Sequence, residues 1–401
     1  MEKWNARLAE LEETMIEWRR HLHRNPEISF HETATAAFVA ETLNGFGGIE
    51  VRTGVGGNGV VGTIRGAKPG RTIALRADFD ALPIQDEKDV PYKSTAPGVM
   101  HACGHDGHTA ALLAVAKVLS EHRDDLEGNV VLLHQHAEEA PPGGAKAMIE
   151  DGCLDGVDEV YGIHLASLQP YGTIGYKHGY LTASADLFEI LIQGKGGHGA
   201  SPHQTIDAVA LGAQLITELQ LLVSRRVDPI HPAVLTVGSF HAGSAHNVIA
   251  DQAKMTGTVR TFQEEARDTI EQGIRALSEG LCGAFGASCE VAYMRGYPAT
   301  FNHQKETDEF IRILSERQIG KLIELPAMMG GEDFSYYLQH KPGSFIMVGA
   351  GFDDRENFPH HHPKFDFDER ALMVSARAFL ALVDERLSAE YAPEEAEAAS
   401  V

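Results

Sequence analysis

The chain has 401 residues, 43% apolar and 23% charged, with a formal net charge of −23. That length exceeds the size at which one hydrophobic core stops growing, so two domains are expected. The acidic balance argues against nucleic acid and anionic membranes as partners, because both require basic patches; solubility is its plainest meaning.

The first ten residues are polar and charged, and no run approaches the ~18 apolar residues of a membrane span, so neither a secretory signal nor an anchor is expected. The cysteines are Cys103, Cys153, Cys282 and Cys289. They are too sparse and irregular for a disulfide framework, which makes a cytoplasmic setting the expectation. Cys153 and Cys282 sit in apolar or glycine-rich contexts that suit packing.

Residues 3–23 carry Trp4, Leu8, Leu11, Met15, Trp18 and Leu22 at helical spacing, and Asn25-Pro26 ends that helix. A second helix is expected over 31–45. Short β-rich runs follow at 60–64 and 72–76. A buried helix over 109–120 precedes a strand at 129–134, a short helix at 145–150 and a strand at 159–164 that ends in a histidine. Strands alternating with helices predict an α/β domain with a mostly parallel sheet and helices on both faces.

The pattern then changes. Residues 185–193 alternate polar and apolar, 206–223 form a long amphipathic helix, 233–240 and 254–260 are strands, 266–285 a helix and 288–293 a strand. This β-α-β-β-α-β order predicts a small α+β, ferredoxin-like domain over 184–293. It interrupts a catalytic domain made of 1–183 and 294–390. The second part holds a helix at 306–318, a strand at 344–348 and a helix at 367–387. The Ala/Glu-rich stretch 391–401 is expected to be a disordered tail.

The densest chemistry lies in Met100–Thr109, where ten residues hold three histidines, one cysteine and one aspartate. Thiolate, imidazole and carboxylate are ligands for zinc and similar divalent ions. On an extended loop, Cys103 and His105 would face one cavity. His101 and His108 could orient a ligand or simply open the helix. Glu138-Glu139 follows an apolar strand, where two adjacent carboxylates are costly unless neutralised; a solvated acidic turn would carry the same letters. His164 ends an apolar strand, as a satisfied core histidine also would, and His360-His361-His362 alone resembles an exposed loop. His198 lies in a glycine-rich loop that leaves it free to reach a ligand or another chain. Asn247 and Arg260 fall in the same inserted domain, where an arginine fork would suit a substrate carboxylate.

Taken in order, these blocks resemble a known family. They are Arg76-Ala77-Asp78-Phe79-Asp80-Ala81-Leu82-Pro83, His101–Thr109, Ala137-Glu138-Glu139, Gly162-Ile163-His164, Gly196-Gly197-His198-Gly199-Ala200, Gly331-Glu332-Asp333-Phe334-Ser335 and His361-His362-Pro363-Lys364-Phe365. Together they are similar to the M20 metallopeptidases, in the aminoacylase, hippurate hydrolase and auxin-conjugate amidohydrolase branch, from about Arg19 to Leu387.

The resemblance implies two divalent metal ions per subunit, zinc or manganese first, with cobalt or nickel open. Cys103, His105, Glu139, His164 and His361 match the ligands, with His360 or His362 as alternatives to the last. Glu138 matches the general base, His198 the histidine of a lid or dimerisation domain, and Asp80 a position beside the metals. The implied reaction is hydrolysis of an N-acyl amino acid by a metal-activated water, with Asn247 and Arg260 as candidate substrate contacts and a homodimer formed through the inserted domain. A dipeptidase or carboxypeptidase would use the same chemistry; a non-catalytic metal-dependent binding protein is the remoter reading. One departure stands out: Leu133-His134-Gln135-His136 replaces the family's usual Phe-Gln-Pro.

Overall fold

The computed structural model describes residues 1–387; the expected tail at 391–401 lies outside them. In chain order the strands begin with β1 (Glu50–Val55), β2 (Gly59–Arg65), β3 (Lys68–Asp78), β4 (Glu127–Gln135), β5 (Glu159–Pro170) and β6 (Thr173–Tyr176). They continue with β7 (Gly179–Thr182), β8 (Asp186–Gln193), β9 (Gly197–His198), β10 (Ala233–Ala242), β11 (Val248–Ile249) and β12 (Gln252–Thr261). The last are β13 (Ser288–Met294), β14 (Thr300–Asn302), β15 (Lys321–Glu324) and β16 (Gly343–Gly351). The helices are α1 (Glu2–Glu10), α2 (Glu12–Arg24), α3 (Thr33–Phe46), α4 (His105–Glu121), α5 (Gly144–Glu150), α6 (Ala208–Arg225), α7 (Glu264–Ala284), α8 (Gln304–Glu316), α9 (Phe334–His340) and α10 (Arg370–Arg386).

Two compact units result. The first comprises residues 1–179, 301–326 and the described chain from Tyr336 onward; the second comprises 180–300 and 327–335. The sequence division assigned 327–335 to the catalytic part. Backbone pairing places it in the second unit: Ala183 N–H donates to the Met328 carbonyl, and Met328 N–H to that of Leu181.

The first unit is built on an eight-stranded sheet in the order β1-β2-β4-β3-β5-β16-β6-β15. Strands β4, β3, β5 and β16 run parallel at its centre. They read as nearly continuous apolar runs because both faces are covered. Helix α4 is the most buried helix against this sheet: Ala110 to Ala116 and Val118 and Leu119 are all buried. Each such Leu or Val contributes roughly 1.5–3 kcal/mol of transfer free energy. The predicted helix over 3–23 is two helices, because Leu11 N–H closes a tighter turn onto Leu8. Leu8, Leu11 and Met15 nevertheless stay buried on one stripe.

The second unit has the antiparallel order β10-β12-β8-β13. Phe188, Ile190 and Ile192 of β8 pack with Met255 and Val259 of β12 against Leu211, Leu215 and Leu219 of α6 and Ile270 and Ile274 of α7. This is the ferredoxin-like arrangement that the β-α-β-β-α-β order implied.

Candidate metal centre

The parallel register fixes where the chemistry falls. Asp78 of β3 pairs with Gln135 of β4, so both strands end at one level. The loops after them carry Asp80 and Glu138-Glu139. Open α/β sheets place their sites at such carboxyl ends. The expectation that β5 stops at His164 is wrong: the strand continues to Pro170, and His164 lies within it opposite Met347. Strand β16 pairs with it as far as Ala166 and again at Pro170, with an irregularity between.

Cys103 and His105 do not converge by alternation along an extended loop. Gly104, at φ +100, takes a left-handed conformation and caps α4, which already begins at His105. The glycine makes that turn without the Cβ clash of other residues.

His105 donates from Nδ1 to acceptors on Asp80, the carbonyl at 3.0 Å and Oδ1 at 3.1 Å. This leaves Nε2 as the ring nitrogen that faces inward. That Nε2 lies 3.7 Å from Asp78 Oδ2, 4.0 Å from Glu138 Oε2 and 3.8 Å from Glu139 Oε1, and it has no hydrogen-bond partner. Burial opposes a positive charge on this ring. The Asp78, Asp80 and Glu139 carboxylates outweigh it and push the pKa up to about 10.

His164 donates from Nδ1 to the Leu165 carbonyl at 2.7 Å and turns Nε2 to within 3.5 Å of Cys103 Sγ. Burial and the neighbouring His108 and His360 rings hold it well below its usual pKa, in the neutral form that ligates. Burial and the Glu139, Glu138 and Asp78 carboxylates push the Cys103 thiol up.

Ala137 and His361 both adopt left-handed backbone, at φ +52 and φ +65. This costs a non-glycine residue about 1–2 kcal/mol. Each precedes or carries a site group. Glu139 donates its backbone N–H to Asp80 Oδ2 at 2.9 Å, and its Oε1 stands 3.1 Å from His361 Nε2.

Three triads each bring their ligand atoms within 4.8 Å of one another: Cys103, His105 and His164; Cys103, Glu139 and His361; His105, Glu138 and Glu139. The unit therefore collects all five candidate ligands and Glu138. The donor types, the shared members Cys103, His105 and Glu139, and the orphaned buried His105 Nε2 fit divalent ions.

The other histidines of the two blocks have different occupations. His108 is used at both nitrogens, by Asp78 Oδ1 at 2.6 Å and Leu165 N–H at 2.9 Å. Asp106 accepts from Arg19 at 2.9 Å and His23 at 2.7 Å, tying the start of α4 to α2. His101 is buried with both nitrogens unpartnered. His360 accepts from Ser167 N–H at 3.4 Å and turns Nδ1 to within 3.4 Å of Cys103 Sγ, so it backs the thiol. His362 stacks on Phe358. His136 is buried, edge-on to Phe30.

His198, Asn247 and Arg260 belong to the second unit. His198 pairs with Val248 in a short ribbon, and Gly199 N–H donates to the Asn247 carbonyl at 2.8 Å, so His198 and Asn247 are neighbours on an exposed tip. His198 Nδ1 accepts from Ala200 N–H at 3.0 Å, leaving Nε2 as the donor. Arg260 lies on β12 beside Val234, half-buried, with Nη1 buried and unpartnered. Burial pulls its pKa below the usual value.

The sequence reading assigned no role to Asp78, Ser29 or Glu32. Asp78 was visible as a second carboxylate two residues before Asp80. Nothing local marks Ser29 and Glu32, because their partners are about 50 to 105 positions away.

Residues 74–385 match the model of peptidase family M20/M25/M40. The chain is 51% identical over 296 residues to the N-acyl-L-amino acid amidohydrolase of Geobacillus stearothermophilus, covering 74% of this chain and 80% of that protein. It is 43% identical over 382 residues to thermostable carboxypeptidase 2 of Saccharolobus solfataricus, covering 94% and 96%. Among solved structures it superposes on YXEP of Bacillus subtilis, described as a dinuclear metal-binding peptidase of family M20. The TM-score there is 0.81 at 36% identity, with 94% of this chain and 99% of that chain covered. The chain belongs to peptidase family M20. It is an enzyme that hydrolyses amide bonds.

Proposed function

We propose that the enzyme cleaves the amide bond of N-acyl amino acids, such as N-acetyl or N-benzoyl derivatives, to a carboxylic acid and a free amino acid. The observation that carries this reading is the cluster in which Glu138 and Glu139 stand beside Cys103, His105, His164 and His361, all but His361 largely buried. Similarity to the Geobacillus amidohydrolase supports the substrate class.

Cys103, His105, Glu139, His164 and His361 would hold two divalent ions, which when bound would polarise the scissile carbonyl and lower the pKa of the attacking water. Glu138 takes the proton of that water and returns it to the departing amine. Asp80 fixes the His105 ring through Nδ1 so that Nε2 stays presented. His198 is assigned to the developing oxyanion as an Nε2–H donor, in this chain or from a second copy. Asn247 is assigned to the amide and Arg260 to the substrate carboxylate, where its unpartnered Nη1 supports an anion contact.

A homodimer through the second unit is part of the proposal. Strand β10 is an edge strand, and the outer face of α6 offers Val209, Ala213, Thr217 and Leu221 without charge. Both are open to pairing with another copy.

A carboxypeptidase reading is the alternative, favoured by similarity to the Saccharolobus enzyme. The test is a panel of N-acetyl- and N-benzoyl-amino acids and dipeptides, assayed after loading with Zn²⁺ or Mn²⁺. The expected result is a higher kcat/KM on the N-acyl substrates. Dipeptides turned over faster would select the alternative, and no turnover of either class would overturn both.

A further inference from the structure

Glu138-Glu139 is bracketed by two backbone N–H groups, and each is held by a buried carboxylate. Downstream, Glu139 N–H donates to Asp80 Oδ2 at 2.9 Å. Upstream, Ala137 N–H donates to Glu32 Oε1 at 2.8 Å. Glu32 is 0% exposed, and its other oxygen accepts from Asn58 Nδ2 at 3.0 Å.

The segment that carries Glu32 is itself pinned. Ser29 Oγ donates to the same Asp80 Oδ2 at 2.7 Å. Ala81 N–H donates to the Glu27 carbonyl, and the Glu27 carboxylate accepts from Thr35 at the start of α3. Residues 27–32 thus grip the β3 loop at Asp80 and the β4 loop at Ala137.

Ala137 is the position where a grip is needed. It is non-glycine, fully buried and held at φ +52, immediately before the two site carboxylates. A relaxed residue there would redirect both side chains.

We propose that Glu32 is a positioning residue for this centre: by accepting the Ala137 N–H it maintains the left-handed turn that presents Glu138 and Glu139 to Cys103, His105 and His361. The inference rests on the metal-centre reading above. What matters is an acceptor of the right length at position 32; its negative charge is secondary. Glutamine keeps such an acceptor, aspartate is one methylene short and alanine lacks it.

The test compares Glu32→Gln, Glu32→Asp and Glu32→Ala, with Ala137→Gly alone and combined with Glu32→Ala. Two quantities are read: Zn²⁺ affinity, by competition with a chromogenic chelator, and kcat and KM on the best panel substrate. The expected result is Gln within about threefold of wild type, with Asp and Ala losing about 10–100-fold in Zn²⁺ affinity and in kcat while KM changes little. Ala137→Gly should recover most of the alanine variant's loss, because glycine takes the left-handed turn freely. Should Glu32→Ala not fold, the Gln and Asp pair decides alone.

The inference is overturned if Ala and Asp stay within twofold of wild type, if Gln is as impaired as Asp, or if the alanine loss is not relieved by Ala137→Gly. Failure of wild type to take up Zn²⁺ would instead overturn the metal-centre reading, so the two failures are distinguishable.

Discussion

The two units hold their candidate groups in opposite ways. In the first, Cys103, His105, His164 and Glu138 are at most 9% exposed, and His361 is the one exposed candidate ligand. In the second, His198 and Asn247 sit on an exposed two-stranded tip, and Arg260 keeps an unpartnered Nη1. The first is a preorganised centre whose ligand atoms already face one another. The second offers donors that are exposed or, at Arg260 Nη1, unpartnered. The proposed function accordingly assigns metal binding and proton transfer to groups of the first unit and substrate contact to groups of the second.

Substitutions can break that division of labour. The largest effect is expected at Glu138: Glu138→Gln should lower kcat about 10²–10⁴-fold with bound metal unchanged by elemental analysis. Near-wild-type kcat would remove Glu138 as the base. His198→Ala should follow, with kcat falling about 10²–10³-fold and metal content intact; a drop in metal would make His198 a ligand and erase the contrast between units. Asp80→Ala should weaken metal affinity about 10–100-fold, because His105 Nδ1 loses an acceptor and Glu139 N–H its partner; unchanged affinity in a chelator titration would count against that role. The smallest effect is expected at Arg260→Ala: a raised KM with little change in kcat, measured by steady-state kinetics.

A pH experiment sharpens the picture of the first unit as dry. Burial lowers the pKa of His134 to about 3. An unfolded histidine titrates near 6.5, so between those values the unfolded chain holds a proton that the native one does not. Stability should therefore fall as pH drops below about 6.5, by up to about 1.4 kcal/mol per pH unit from this group. Denaturant midpoints between pH 7 and pH 5 should show a shallower fall in His134→Gln; an identical slope would mean other groups carry it.

Much of the centre was legible along the chain, because metal ligands must be particular residue types and several follow strands that the apolar pattern reveals. Cys103, His105, Glu138 and Glu139 stood out as candidates for that reason, whereas His164 entered only through the family resemblance. The start of α4 was not, since Gly104 turns the chain within one residue and the histidines after it disguise a helix as a loop. Strand β5 was cut short because its last residues lose their apolar character while β16 still pairs with them. Among the three C-terminal histidines the resemblance pointed to His361; coordinates add that His361 stands beside Glu139 while His360 lies against Cys103.

The amino-acid order alone determined the α/β class, the inserted β-α-β-β-α-β domain and the residue types of a divalent-metal site, because periodicity and ligand chemistry are local properties. Tertiary structure alone decided which nitrogen each histidine presents, that 327–335 joins the second unit, and that Glu32 and Ser29 reach the loops of Ala137 and Asp80. Those outcomes depend on hydrogen bonds between residues far apart in the chain, whose geometry no stretch of sequence contains.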